Sequence, residues 1–373
     1  MKTDLIVVGG GILGLATAFL AHEQGLTVRV IDRSERPVGS SIMNFGHACF
    51  TGQADAVMDA VWISREGWIR AAEATGLWAA QSGTYVPAMT DTELKVLEEF
   101  AQHRGEEQVQ LIDGAQVGEG IGNPHLDALG GAILPLDMRV NPREAAPRLA
   151  AWLEEKGVSF QWRHEVKEVA EGTVVTNRGN FSAERVICCP NFYLTQLFPG
   201  LADKYELRVC SLVMALIDRP ERISRELAMF TGTSLARYDG FAAMPSVSLL
   251  KEELAEREPE LVGCVANLMV TGVENGLFVG DSHEYDLSPE PFMDQEVAEL
   301  LIDRASGYLG LAKPRVIQRW QGQYSDSPKT NLILERPDEQ TTVAVVTSGI
   351  GMTMSFGVAD MALRGGSGDV FAC

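Results

Sequence analysis

Gly9, Gly11 and Gly14 stand at the spacing G-x-G-x-x-G, and a carboxylate, Asp32, follows about 20 residues after the first glycine. Residues of these types in this order can hold a dinucleotide. Gly9 permits a tight turn, Gly11 lets a pyrophosphate approach the backbone, and Gly14 lets a helix lie close to a strand. Asp32 can accept from both hydroxyls of an adenosine ribose and would repel a 2′-phosphate. Ile12 and Leu13 open the following helix, whose positive end would face the phosphates, and Arg33 stands beside the acid.

The flanking segments are those such a motif requires. Asp4 to Val8 is a short β-branched run, apolar residues from Leu13 to Ala21 recur at helical spacing, and Val28 to Ile31 reads as a second strand that Asp32 ends. The same apolar run behind Met1 and Lys2 could be read as a signal peptide or anchor. The motif spacing, the missing small-residue cleavage site and the amphipathic pattern that follows speak against it. No other window holds about 18 uninterrupted apolar residues, so no membrane span is expected.

The chain has 373 residues, enough for two domains or one large one. Its 46% hydrophobic and 22% charged residues are ordinary for a globular protein. A net charge of −20 argues against nucleic acid or an anionic membrane as partner, and its field suits a small cation such as an amine. The six cysteines show neither zinc-ligand spacing nor a disulfide framework. No metal is expected, and a reducing cytoplasm is the expected compartment.

After Asp32 an irregular run from Gly39 to Phe50 is placed to reach along a cofactor toward its reactive ring, with Ser40, Ser41, Asn44, Gly46 and His47 as candidate contacts. Helices are expected over Trp62 to Ala74, Asp91 to His103, Arg143 to Lys156 and Phe292 to Leu309, the third with Asn141 as N-cap and Pro142 at its first position. Strands are expected at Gly130 to Pro135, Val158 to Trp162, Glu165 to Ala170, Thr173 to Thr176, Phe181 to Cys188, Val209 to Ile217, Leu235 to Ala243, Val265 to Thr271, Leu277 to Asp281 and Arg315 to Trp320. The chain closes on a buried strand, Thr342 to Thr347, a second glycine turn, Ser348 to Met354, and a helix to about Leu363, with little signal in the tail from Gly365.

The opening motif with Asp32, and Thr347 to Met352 with its helix, resemble the two cofactor segments of the D-amino-acid oxidase superfamily. That superfamily of FAD enzymes includes glycine oxidase, sarcosine oxidase and dimethylglycine dehydrogenase. Asn44-Phe45-Gly46 with Thr51-Gly52-Gln53, Arg139 to Glu144, Gly280 to Tyr285, Arg319 to Gly322 and Thr347 to Gly349 are most similar to a subgroup associated with aminophosphonate breakdown. The resemblance implies an α/β (α+β) fold. A Rossmann-like FAD-binding domain of glutathione-reductase type (residues 1–82, 137–205 and 328–373) would be interleaved with an antiparallel substrate domain (83–136 and 206–327). It also implies that Val166, Pro190, Gly349 and Ile350 line the cofactor site, and that Gly351, Met352, Thr353 and Met354 hold the pyrimidine edge of the flavin.

Amine oxidation by a flavin moves a hydride equivalent from the carbon bearing nitrogen to the ring and leaves an imine that water hydrolyses. Many amino-acid oxidases of the superfamily carry an Arg-Pro pair whose arginine forks onto the substrate carboxylate. Here the corresponding place reads Trp320-Gln321-Gly322-Gln323-Tyr324-Ser325, which argues against an ordinary α-amino acid held in that way. Arg139, Arg237, Tyr238, His283 and Tyr324 are the candidates for a substrate pocket, with structural ion pairing the competing role for the two arginines.

In dimethylglycine dehydrogenase a histidine in the comparable loop bonds the flavin covalently, and Gly46-His47-Ala48 is similar; a non-covalent role for His47 is the favoured expectation. Phe278 stands where sarcosine oxidase has an oxygen-activating lysine, which leaves oxygen or another electron acceptor open. The expected function is FAD-dependent oxidation of a small primary or N-methylated amine of the 2-aminoethylphosphonate type. Its alternatives are a glycine- or sarcosine-type oxidase, an NAD-dependent dehydrogenase and a non-catalytic flavin-binding protein.

Overall fold

A computed structural model describes residues 3–366. Strand β1 (Leu5–Val8) is buried on both faces, as a central parallel strand must be. Leu5 and Val7 point to one side, into a core shared with helix α1 (Ile12–Glu23), while Ile6 and Val8 point to the other, toward Val169, Val174 and Leu194. The turn between β1 and α1 closes only over glycine: a β-carbon at Gly14 would lie 1.9 Å from the Gly9 carbonyl oxygen. The chain then enters β2 (Val28–Ile31), which pairs parallel to β1 in the register Val8 to Ile31.

Helix α2 (Met58–Thr75) ends at Gly76 in the left-handed conformation. It packs on the last helix, α3 (Gly351–Arg364), at two glycines: a β-carbon at Gly67 would strike Phe356, and one at Gly357 would strike the Ala60 carbonyl. Phe356 meets Phe19 of α1 edge-on at 5.8 Å, so both glycine-turn helices share one layer.

The parallel sheet runs Leu332–Glu335, Thr341–Val346, Arg185–Cys188, β1, β2 and Ser159–Gln161, with only the first pair antiparallel. The opening and closing strand-turn-helix units therefore lie on one sheet, separated by Arg185–Cys188. A larger sheet of nine strands carries the other half of the protein, almost wholly antiparallel. At its heart Arg208–Ile217 pairs with Val316–Asp326, placing Cys210 opposite Tyr324, and with Gly276–Gly280, placing Met214 opposite Gly280.

Several elements differ from expectation. Leu235 to Ala243 forms two short helical turns, Gly232–Leu235 and Asp239–Ala242, in keeping with Leu235, Tyr238 and Phe241, which recur at every third residue and do not alternate as a strand would need. Phe181 to Cys188 is two strands: Gly179–Ser182 joins a three-stranded sheet with Val166–Ala170 and Thr173–Thr176, and Arg185–Cys188 turns into the parallel sheet. Val265 to Thr271 contributes a later strand, Met269–Val273. The helix expected from Phe292 starts at Gln295, where the Asp294 side chain accepts from two amides, and the strand expected to end at Trp320 runs on to Asp326. Most of the tail from Gly365 lies outside the described residues. No helix among the described residues is long and apolar enough to cross a membrane.

Candidate active site

A cavity of about 280 Å³ opens over the carboxyl ends of β1 and β2. Gly9, Gly11, Ile12, Leu13, Gly14, Asp32 and Arg33 line one end. Helix α1 begins at Gly11 with no side-chain cap, so its amides face the cavity, apart from Ile12 N, which donates to Ser41 Oγ at 2.9 Å. The Asp32 carboxylate is aimed by two amides, accepting from Gly10 N and from Ser34 N, each at 2.7 Å. Arg33 lies across the Tyr193 ring at 3.5 Å from its centre. Ser40, Ser41, Asn44, Val166 and Pro190 continue the wall. Asn44 bridges the loop by donating to the Ser40 carbonyl at 2.8 Å while its oxygen accepts from Gly46 N at 2.7 Å.

A second cavity, about 290 Å³, lies deeper, between the helix end of α3 and the antiparallel sheet. It shares Asn44, Leu212, Tyr324, Gly349 and Met352 with the first, so the two run into one another. Gly349, Ile350, Met352 and Thr353 form one wall, and α3 also starts without a side-chain cap. The Thr353 hydroxyl accepts from Cys49 N at 3.1 Å, and Trp68 donates to the Met352 carbonyl at 2.8 Å, fixing this turn against α2 and the early loop.

The opposite wall carries the polar groups. Arg237 is the one Arg or Lys among the described residues lining this cavity, and it donates to the Tyr285 hydroxyl at 3.2 Å. Burial pulls its guanidinium down, but Tyr285, Tyr324 and Asp281 around it more than offset this and hold it above the ordinary value. Tyr238 and Tyr324 are pushed well above the phenol range, chiefly by burial, and stay protonated.

His283 Nδ1 donates to the Val265 carbonyl at 2.9 Å, which leaves Nε2 bare, 3.8 Å from Asp281 Oδ2. Burial, then Arg237, lowers His283 to about 3, so it is neutral. His47 is also neutral: burial is the largest cause of its lowered value. The Thr84 hydroxyl donates to Asp137 at 2.8 Å and so must accept from His47 Nε2 at 2.7 Å, leaving Nδ1 without a protein partner.

Three expected contacts are placed elsewhere. The Arg139 guanidinium is wholly buried and donates to the carbonyls of Leu227 at 3.2 Å, Phe45 at 2.7 Å and Gly272 at 2.6 Å. It lines neither cavity and acts as a strut between the early loop and the antiparallel sheet. Met354 turns into the core, and Gly46 packs on the Val140 carbonyl. Phe278 is likewise buried, edge-on to Trp320 at 5.7 Å, and lines neither cavity.

Conversely, the inner wall also holds Asp281, Tyr285 and Asn267, which are not among the expected contacts. Asp281 and Tyr285 flank His283 in Gly280 to Tyr285, whose density of polar residues at the end of an apolar strand is the signal that points to them.

Residues 4–364 match the family described as FAD dependent oxidoreductase. The chain belongs to this family. Among relatives, gamma-glutamylputrescine oxidoreductase of Escherichia coli (strain K12) is 26% identical over 255 residues, which cover 60% of this chain and 56% of the relative. The chain thus spans little more than half the length of that protein. Among solved structures, L-proline dehydrogenase from P. horikoshii superposes with a TM-score of 0.79 at 19% identity, covering 98% of this chain and 94% of the other. Glycine oxidase from Bacillus cereus gives 0.77 at 16% identity, covering 100% and 99%. These likenesses carry the fold of an FAD dependent oxidoreductase.

The residues fit that cofactor. Two uncapped helix ends, a glycine turn that no side chain can fill and a carboxylate held by amides lie along one continuous channel. The family match also sets aside the NAD-dependent alternative.

Proposed function

We propose that the protein oxidises a small primary or N-methylated amine that also carries an anionic group, of the 2-aminoethylphosphonate type. The observation that carries this reading is Arg237, a half-buried cation in the inner cavity whose side-chain hydrogen bond goes to a tyrosine hydroxyl rather than to a carboxylate. In a chain of net charge −20, such a cation is a docking point for one anionic head. Tyr238, Tyr285 and Tyr324 stand on the same wall as neutral donors. A tetrahedral phosphonate presents three oxygens to donors from several directions, which suits this set better than a flat carboxylate fork. The likeness to gamma-glutamylputrescine oxidoreductase and to glycine oxidase supports a nitrogen-bearing substrate.

Asp32 and the first amides of α1 would hold the nucleotide half of FAD, and Gly349 to Thr353 its ring half. Bound FAD supplies the two-electron acceptor. The chain's own contribution is placement: Arg237 with the tyrosines orients the anion, the apolar walls Leu212, Met214 and Met269 keep water from the amine carbon, and His283 presents a bare nitrogen as an acceptor. Hydrolysis of the imine then yields an aldehyde with ammonia or methylamine.

The test is a panel of amines, amino acids and aminophosphonates, N-methylated forms included, mixed with the yellow holoenzyme and followed by aldehyde release. Aldehyde from aminophosphonates above all others supports the reading. A preference for glycine or sarcosine would replace it with the amino-acid oxidase alternative.

A further inference from the structure

We propose that Asp281 pairs with the substrate's ammonium group and takes a proton from it, so that the amine is uncharged when it is oxidised. This rests on the amine-oxidase reading above and names the group that would prepare the amine. Asp281 lines the inner cavity opposite the glycine turn of α3 and is 6% exposed. Its main chain is pinned by a reciprocal pair of bonds with Asn267, at 3.1 and 2.9 Å. Its side chain is not: Oδ1 is buried and has no hydrogen-bond partner. A carboxylate oxygen buried without a donor is costly unless a ligand supplies one.

The two other carboxylates in this wall are already engaged. Asp239 accepts from Asn331 at 3.0 Å and is exposed, and Asp326 is bonded by Arg208. Arg237 and Asp281 thus offer one cation and one unsatisfied carboxylate in a single enclosure, the complement of a zwitterion with an anionic head and an ammonium tail.

The step balances within the pair. An N–H bond of the ammonium breaks, an O–H bond forms on Asp281, and nitrogen keeps the electron pair it needs to become an imine. A free ammonium holds its proton to about pH 10, but burial beside Arg237 disfavours a second cation and narrows the gap. Burial raises Asp281 to about 7, against the pull of Arg237, which makes it a far better proton acceptor than an ordinary carboxylate. His283, held near 3, is the weaker base.

The groups facing Asp281 are Arg237, His283, Tyr238, Tyr324, Cys210 and Cys264. Both tyrosines and both thiols are raised, the arginine is raised and the histidine is lowered, so none of them titrates near pH 7.

Two measurements on the FAD-loaded protein test this. Methanesulfonate, whose charge is fixed from pH 5 to 9, should bind at Arg237 and lose affinity as pH rises through about 7 in the wild type, because Asp281 ionises beside it. Asp281→Asn should keep the affinity and lose the slope. Anaerobic flavin bleaching by the best amine should rise with pH to a plateau in the wild type. It should fall at least about 100-fold in Asp281→Asn, with loss of the acid limb.

A sulfonate affinity flat with pH in the wild type overturns the proposal without recourse to any variant, as does Asp281→Asn bleaching at the wild-type rate. Failure of the broader function would look different: no amine would bleach the wild-type flavin at all.

Discussion

Tyr324 of the antiparallel sheet lies directly on Gly349 of the closing glycine turn: a β-carbon at Gly349 would come within 3.1 Å of the tyrosine ring. This contact joins the two halves of the protein at the place where the cavities meet. Gly349 also has φ of 76°, a conformation that costs an L-residue about 1–2 kcal/mol. Gly349→Ala should therefore lower the affinity for FAD about tenfold and displace Tyr324. Titration of the apoprotein with FAD, followed by quenching of flavin fluorescence, reads this.

Arg237 is assigned to the substrate's anion and not to the cofactor. Removing a hydrogen bond to a charged group costs about 1.5–3 kcal/mol, so Arg237→Ala should lower kcat/KM about 10- to 100-fold while the flavin content stays at one per chain. Arg237→Lys keeps the charge but loses the planar fork, and should recover only part of the loss.

Arg139 should behave in the opposite way. Arg139→Met removes three hydrogen bonds from a charged donor, at about 1.5–3 kcal/mol each, although the Leu227 and Phe45 carbonyls keep the Gly272 amide and the Thr271 hydroxyl as donors. The thermal midpoint should drop sharply, yet the enzyme that remains folded should keep its substrate preference. A changed preference with an unchanged midpoint would contradict the strut.

Asp281 and His283 give stability opposite dependences on pH. Asp281 binds its proton to about pH 7 when folded and to about 3.8 when unfolded, so the stability this lends is complete below the unfolded value and lost as pH rises through 7. His283 titrates near 3 when folded and 6.5 when unfolded, so its contribution is lost as pH falls from 6.5 toward 3. In melting curves, Asp281→Asn should gain on the wild type at pH 8 relative to pH 5.

His47 is neutral, with Nε2 committed to Thr84, and its expected role is a non-covalent contact beside the ring. Acid precipitation should leave the yellow colour in the supernatant; a coloured pellet would mean a bond through Nδ1.

The opening and closing glycine turns were legible in the sequence because their geometry allows few residues: Gly14 meets the Gly9 carbonyl, and Asp32 ends a short apolar strand. The substrate wall was less so. Its residues come from the segment at Arg237, the turn after Gly276–Gly280 and the end of Val316–Asp326, which only the antiparallel sheet brings together. Arg139 shows the difficulty: a lone arginine beside an apolar strand reads alike whether it meets a ligand or three carbonyls. Asp281 is harder still to read, because nothing in its neighbours along the chain shows that one carboxylate oxygen will be buried without a donor.

The most direct test of the account is the rate of anaerobic flavin bleaching by 2-aminoethylphosphonate, set against β-alanine, which has the same chain and amine but a carboxylate head. The account predicts that the phosphonate bleaches the flavin faster, by about tenfold or more, and that Arg237→Ala removes the difference. Bleaching by β-alanine at an equal or greater rate, or by neither compound, would contradict it.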